Sequence, residues 1–259
     1  MSIYVMSDIH GYFDVFRTML KKIDFSDEDE LIIAGDYIDR GPQSLEMLRW
    51  IEDCPDNILL LVGNHDVEFA ECISVMDSYA QILKLDENDI ADSQTLYSAM
   101  MRIPEVVNAY FDYYGTIRSL VIDKEICLSE LKRHSETIRQ LPYYYKRTVD
   151  GRKYVIVHAG YYEDKSVPQA EMQQFYLYAR EEAYFQEGGV PDSTIIAGHT
   201  PTIARSTPMY TGGKIFKHYD RKQNCTFYDI DCGCGFRDLA DSDGRLACIR
   251  LGDEEVFYV

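Results

Sequence analysis

Short apolar runs recur along this chain, and each stops at a residue that can bind a metal or carry a proton. Residues 2–6 run into Ser7-Asp8-Ile9-His10. Leu31 to Ala34 stops at Gly35, with Asp36, Asp39 and Arg40 close behind. Ile58 to Val62 leads to Gly63-Asn64-His65-Asp66, Lys153 to Val157 to His158-Ala159-Gly160, and Thr194 to Ala197 to Gly198-His199-Thr200. Apolar runs of this length, bounded by turn residues, predict buried strands. An open α/β sheet presents its ligands beyond the carboxyl ends of such strands.

Between the first strands the period changes to that of a helix. Tyr12 to Ile23 places Phe13, Phe16, Leu20 and Ile23 on one face. Pro42 stands at a predicted first helical position, ahead of Leu45, Leu48 and Ile51. Asp66 is predicted to cap a helix carrying Phe69, Ile73, Met76, Ala80 and Leu83. This β-α-β-α-β-α order predicts a parallel sheet.

Residues 85–145 break the rhythm. Asp86 to Asp92 is polar, Pro104 interrupts a helical stretch, Tyr110, Tyr113 and Tyr114 cluster, and Leu128, Leu131 and Ile138 mark a further helix. The segment reads as a mostly helical insertion over the carboxyl edge of the sheet, shaping access to it. Tyr143 to Val149 and Lys153 to Val157 form a hairpin around Asp150-Gly151. Met172, Phe175, Tyr176, Ala179 and Ala183 predict one helix, ended by Gly188-Gly189. Four strands follow at 214–219, 226–230, 246–251 and 255–259. No repeat or low-complexity linker divides residues 1–259, so a single domain is expected.

Composition narrows the partners. A net charge of −18 without a basic stripe excludes a nucleic-acid backbone. No apolar run is long enough to span a bilayer, and the N-terminal run is too short for a signal peptide, so a cytoplasmic protein without a membrane partner is expected. Seven cysteines without zinc spacing read as reduced thiols, with Cys232 and Cys234 buried. Four of the six histidines stand at strand ends. His134 and His218 read as surface side chains.

Taken as one site, Asp8, His10, Asp36, Asn64, His158 and His199 supply carboxylate, amide and imidazole donors and no thiolate. That donor set suits manganese, iron or zinc and not calcium. Six side chains are too many for one ion with an open position, and fit two divalent ions about 3.5 Å apart sharing a carboxylate. A water between such ions is nucleophilic near neutral pH, so no side-chain nucleophile is needed. His65, beside a proposed ligand, is placed to protonate a leaving group, with Asp39 to orient it. Arg40 offers a planar fork to phosphate oxygens.

These motifs resemble those of the calcineurin-like metallophosphoesterases, and within them the phosphoprotein phosphatase branch. Asp8-Ile9-His10-Gly11, Gly35-Asp36-Tyr37-Ile38-Asp39-Arg40-Gly41 and Gly63-Asn64-His65-Asp66 look like the three leading motifs. Val157-His158-Ala159-Gly160 and Ala197-Gly198-His199-Thr200-Pro201 look like the later two, in the family's order. The resemblance implies that Asp8, His10 and a bridging Asp36 hold one ion, and that Asp36, Asn64, His158 and His199 hold the other. It also makes His65 with Asp39 the acid, and Arg40 and Asn64 phosphate contacts. Arg180, in Leu177-Tyr178-Ala179-Arg180-Glu181, is similar to a further phosphate-binding arginine of compact bacterial and bacteriophage members. The fold implied is α/β in four layers, a central β-sandwich flanked by helices, with residues 214–259 in the second sheet. Asp66 stands where eukaryotic members carry Glu, and residues 85–145 match no part of the pattern.

The expected activity is that of a dinuclear-metal phosphatase, with a metal-bridging hydroxide attacking phosphoserine or phosphothreonine in proteins. Asp39-Arg40 after Asp36 is the feature that favours a protein substrate. The alternative is a symmetrical dinucleoside polyphosphate hydrolase or other small-molecule phosphatase, with tyrosines of residues 110–145 stacking bases, although core packing is the expected use of most of them. A metal-binding adaptor without catalysis stands third, since His65, Asp39 and Arg40 are all present.

Overall fold

Side-chain alternation in the strands decides the layering. The computed structural model describes residues 1–85, 90–164, 166–185 and 190–259. In chain order its strands are β1 (Ile3–Met6), β2 (Glu30–Ala34), β3 (Ile58–Leu61), β4 (Tyr144–Val149), β5 (Arg152–Val157), β6 (Ser193–Ala197), β7 (Phe216–Asp220), β8 (Cys225–Asp229), β9 (Ala247–Arg250) and β10 (Val256–Tyr258). The helices are α1 (Phe13–Lys22), α2 (Ser44–Glu52), α3 (Asn64–Leu83), α4 (Ile90–Met100), α5 (Pro104–Asn108), α6 (Thr116–Arg118), α7 (Leu128–Arg139), α8 (Gln169–Tyr178) and α9 (Glu181–Phe185).

The strands form two five-stranded sheets, ordered β10-β9-β1-β2-β3 and β4-β5-β6-β8-β7. Tyr4, Met6, Leu31 and Ile33 turn toward α1, α2, α3 and α7, while Ile3, Val5, Ile32 and Ala34 turn toward the other sheet. In the second sheet Val155, Val157 and Ile195 pack under α8 and α9, and Tyr154, Ile156 and Ile196 meet the first sheet. Both faces of the central strands are therefore buried, which is why their sequences read as unbroken apolar runs. The four-layer sandwich is the expected fold. Among the described residues, no helix is long and apolar enough to cross a membrane.

Several elements differ from expectation. Only β7 and β8 of the C-terminal strands join the second sheet. β9 instead pairs antiparallel with β1 and covers its free edge, with β10 outside it. The helix predicted through Ala183 breaks at Ala179, whose backbone is extended. The break lets both Ala179 and Ala183 close on Gly160, where an added Cβ would meet each methyl at 2.8 Å. The Gly188-Gly189 terminator lies outside the described residues, as do Asp86 to Asp89. α2 starts at Ser44, because the turn before it is occupied: Gln43 N–H donates to Gly11 O. Asp66 does not sit at the N-cap of α3. Gly63 does, and Asp66 reaches back to accept its N–H at 2.8 Å.

The hairpin is as expected. Asp150 and Gly151, at φ 50° and 80°, form the turn between paired Val149 and Arg152. Pro104 opens α5 at its first position. α7 packs on α3 and α2, which corrects the reading of His134: it is buried, with Nδ1 2.6 Å from Glu52 Oε1. His218 is partly exposed. All seven cysteines are free, with Cys232 and Cys234 buried.

Candidate metal centre

The five predicted strand ends converge. Their loops are tied by backbone bonds that extend the sheets past the last ladder pair: Asp8 N–H to Gly35 O at 3.0 Å, His10 N–H to Asp36 O at 2.9 Å, and Gly198 N–H to His158 O at 2.7 Å. Asp8, His10, Asp36, Asp39, Arg40 and His199 all have left-handed backbone, φ 50° to 72°. L residues in that region cost on the order of 1 kcal/mol each, so the surrounding turns must hold them there. Gly198 is required for the approach of the two sheets. A Cβ there would lie 2.0 Å from Asp8 Oδ2.

Asp36 stands at the middle. Its carboxylate accepts the His65 N–H at 3.0 Å, and lies 3.7 Å from His10 Nε2, 3.8 Å from His65 Nε2 and 3.5 Å from His158 Nε2. Two sets of ligand atoms share it: His10, Asp36 and His65, and Asp36, His158 and His199, each set within 4.8 Å. Asp8 accepts the His199 N–H at 3.1 Å and lies 4.0 Å from His10 Nε2. Asn64 Oδ1 lies 3.0 Å from His158 Nε2 and 2.9 Å from His199 Nδ1. Every one of these side chains is buried.

The donor set fits cations on its chemistry. His10 Nδ1 donates to Ile38 O at 2.9 Å and His158 Nδ1 to Ala34 O at 2.8 Å. Each neutral ring then turns the Nε2 lone pair inward, toward carboxylate and amide oxygens that also only accept. A buried cluster of acceptors is unfavourable unless a cation lies among them. Burial pushes the Asp36 carboxyl well above the usual range, helped by Asp8 and Asp66. Burial, with neighbouring cations, pulls His10 and His199 well down. The site thus favours neutral imidazoles, the form that ligates metal.

His65 is different. Burial pulls it down, but Asp36 and the Asp39 hydrogen bond outweigh that and hold it at about 8. Its Nδ1 lies 2.6 Å from Asp39 Oδ2, and the other Asp39 oxygen accepts the Thr116 hydroxyl. The two side chains paired in the sequence reading are thus in hydrogen-bond contact, with His65 Nε2 turned toward Asp36. Arg40 is stacked between Tyr114, at 4.9 Å, and Phe236, at 4.3 Å. Arg180 is exposed and lines a cavity of about 570 Å³ with Tyr178, Thr200 and Pro201. Its charge contributes to the lowering of His199.

Sequence reasoning missed four supports. Thr116 and Phe236 carry no local signal, because they arrive from segments distant in sequence. Glu68 accepts from Asn64 Nδ2 at 3.3 Å and aims Oδ1 at the two histidines, and its i+4 spacing from Asn64 was readable. Asp66 accepts the N–H groups of Asp36 and Tyr37 at 2.9 and 3.1 Å, which clamps the Asp36 loop to α3.

A sandwich with this convergence of aspartate and histidine defines a metallophosphoesterase, and the chain belongs to the calcineurin-like phosphoesterase family, whose model matches residues 1–231. Among its relatives is the symmetrical bis(5'-nucleosyl)-tetraphosphatase of Chromobacterium violaceum, 32% identical over 138 residues, which are 50% of this chain and 49% of that protein. The enzyme of the same name from Wigglesworthia glossinidia brevipalpis is 42% identical over 90 residues, 34% of this chain and 31% of the relative. The chain thus spans about half the length of these curated relatives or less. A crystal structure provisionally described as a diadenosine tetraphosphatase shares the fold, with a TM-score of 0.56 at 17% identity over all of this chain and 92% of that one.

These relatives correct the expectation of a phosphoserine or phosphothreonine phosphatase. The feature behind that expectation does not discriminate. Asp39 orients His65 whatever the leaving group, and a stacked guanidinium serves any phosphate oxygen. Membership of the phosphoesterase family stands, and the expected protein substrate is not supported.

Proposed function

We propose that this chain hydrolyses a symmetrical dinucleoside polyphosphate, using two divalent cations, with manganese the best fit and iron or zinc compatible. Asp8, His10 and Asp36 would hold one ion, and Asp36, Asn64, His158 and His199 the other. Bound there, the pair supplies positive charge to phosphate oxygens and lowers the pKa of a shared water. What supports this reading is the sharing of Asp36 between two buried groups of candidate ligand atoms, one of which includes His65, with Asp8 4.0 Å from His10 Nε2 beside it, in a chain whose relatives are named as tetraphosphatases.

The remaining residues handle the phosphate and the proton. Arg40 is pre-aligned by its two aromatic neighbours and offers N–H groups to the phosphoryl oxygens as negative charge builds. Arg180, whose charge is felt at His199, would meet the same chain of phosphates. Water adds to the phosphorus second from one ribose and loses a proton to the medium, while the bond from that phosphorus to the central bridging oxygen breaks. Its electron pair stays on the departing phosphate oxygen, which takes its proton from His65 Nε2, and two nucleoside diphosphates result. Asp39 keeps His65 protonated and correctly turned. The expected assay result is conversion of diadenosine tetraphosphate to ADP alone in the presence of manganese, with a phosphopeptide left intact. An unchanged dinucleotide overturns the reading.

A further inference from the structure

A largely apolar groove of about 720 Å³ opens beside the centre, between α3 and residues 105–114. Three tyrosines line it in an edge-to-face ladder: Tyr110 to Tyr113 at 5.7 Å and 70°, and Tyr113 to Tyr114 at 4.9 Å and 89°. The ladder ends on the reaction machinery. The Tyr114 ring lies 4.6 Å from that of His65 and 4.9 Å from the Arg40 guanidinium. Tyr110 and Tyr113 are 72% and 68% exposed, so core packing does not account for them. Tyr110 holds φ 60° and Asp112 φ 50°, and a bulky aromatic residue in that region is strained. Asp112 pins the turn by accepting the N–H groups of Ile117 and Arg118, each at 2.8 Å, and the Tyr97 hydroxyl at 2.7 Å. The fold thus spends backbone strain on keeping two aromatic rings in solvent.

Charge selects what these rings can meet. Glu68, Glu71 and Glu105 also line the groove. Carboxylates repel a phosphate and accept from the N–H and O–H groups of a neutral ring system. Position selects which part of a substrate arrives. Tyr114 touches the residue proposed to protonate the departing oxygen, so the groove lies where the leaving half goes. We infer that the Tyr110–Tyr113–Tyr114 groove binds the base and ribose of the leaving nucleotide, with the base stacked on the exposed rings. This deepens the proposed function and rests on it for the identity of the leaving half. Base stacking tolerates any base face, so the groove favours nucleosides as a class.

The test uses the Tyr110→Ala/Tyr113→Ala double variant, which leaves Tyr114, His65 and Arg40 in place and removes only exposed side chains. Saturation-transfer NMR with adenosine, which carries no phosphate, reads the groove without catalysis. Binding to the wild type is expected, with a loss of about ten- to a hundredfold in affinity in the double variant. The Phe double variant is expected to retain it. The KM for diadenosine tetraphosphate should rise by a similar factor. Equal adenosine binding by both proteins, or binding by neither, overturns the groove even when the dinucleotide is cleaved. A wild type that binds adenosine through these tyrosines but leaves the dinucleotide intact overturns the proposed function and keeps the groove.

Discussion

What the His65 proton contributes depends on the basicity of the departing oxygen. General acids contribute about 10²–10⁴-fold with strongly basic leaving groups. A nucleoside diphosphate leaves from a phosphate oxygen whose last pKa is only about 6, so His65→Asn should cost the dinucleotide reaction near the lower end of that range. Elemental analysis of the variant should still find two ions per chain; a missing ion would make His65 a ligand. Glu68 tests the second ion from outside. Glu68→Ala frees the Asn64 amide to turn, and loss of such an orienting partner weakens metal affinity by about 10–100-fold. Calorimetric manganese titration should register one weakened site, and two unchanged sites would remove Glu68 from the centre. Away from the metals, burial holds His134 below its ordinary 6.5 against the pull of Glu52 and Glu130. A depressed folded-state pKa gives stability that is present above the unfolded value and is lost as pH falls below it. The urea midpoint should therefore drop between about pH 7 and about pH 5, and drop less in His134→Gln.

At the scale of elements, the strand ends were legible because burial on both faces writes an apolar run and the turn beyond it writes its own chemistry. The convergence of Asp36, Asn64, His158 and His199 at buried strand ends could be read from that alone. His134 was misread although it stands three residues after Leu131 and four before Ile138, on the face that α7 buries. The helix period marked it, and the general habit of histidine was allowed to outweigh the pattern. The pairing of β9 with β1 was not legible, since a short antiparallel strand carries no sign of which edge it will join. Nor was the break at Ala179, which answers to packing against Gly160. One element boundary makes a sharp prediction. Gly198→Ala drives a methyl into Asp8 and Ser7 at the end of β6. Relief of such overpacking typically costs about 1–3 kcal/mol, so the variant should melt lower and bind less manganese. Normal melting with full loading would mean the loops can part freely.

Across the whole molecule, the centre draws on both sheets. Asp8, His10, Asp36 and Asn64 follow strands of the first, and His158 and His199 follow strands of the second. Ions held there would tie the two sheets together and would favour the folded form. Chelation should therefore lower the melting temperature and manganese should restore it, by about 2.7 kcal/mol at a hundredfold excess over Kd. A melting curve indifferent to metal would place the ions elsewhere.

The neighbours of β1 carry one more consequence. Its partner on one side is β2, but on the other it is β9, which begins at Ala247. Until residues 247–250 have been made, the strand that leads to Asp8 and His10 stays open along that edge. A chain cut before Ala247 is therefore expected to expose a bare strand edge and to bind chaperones or aggregate, which a sedimentation assay would read.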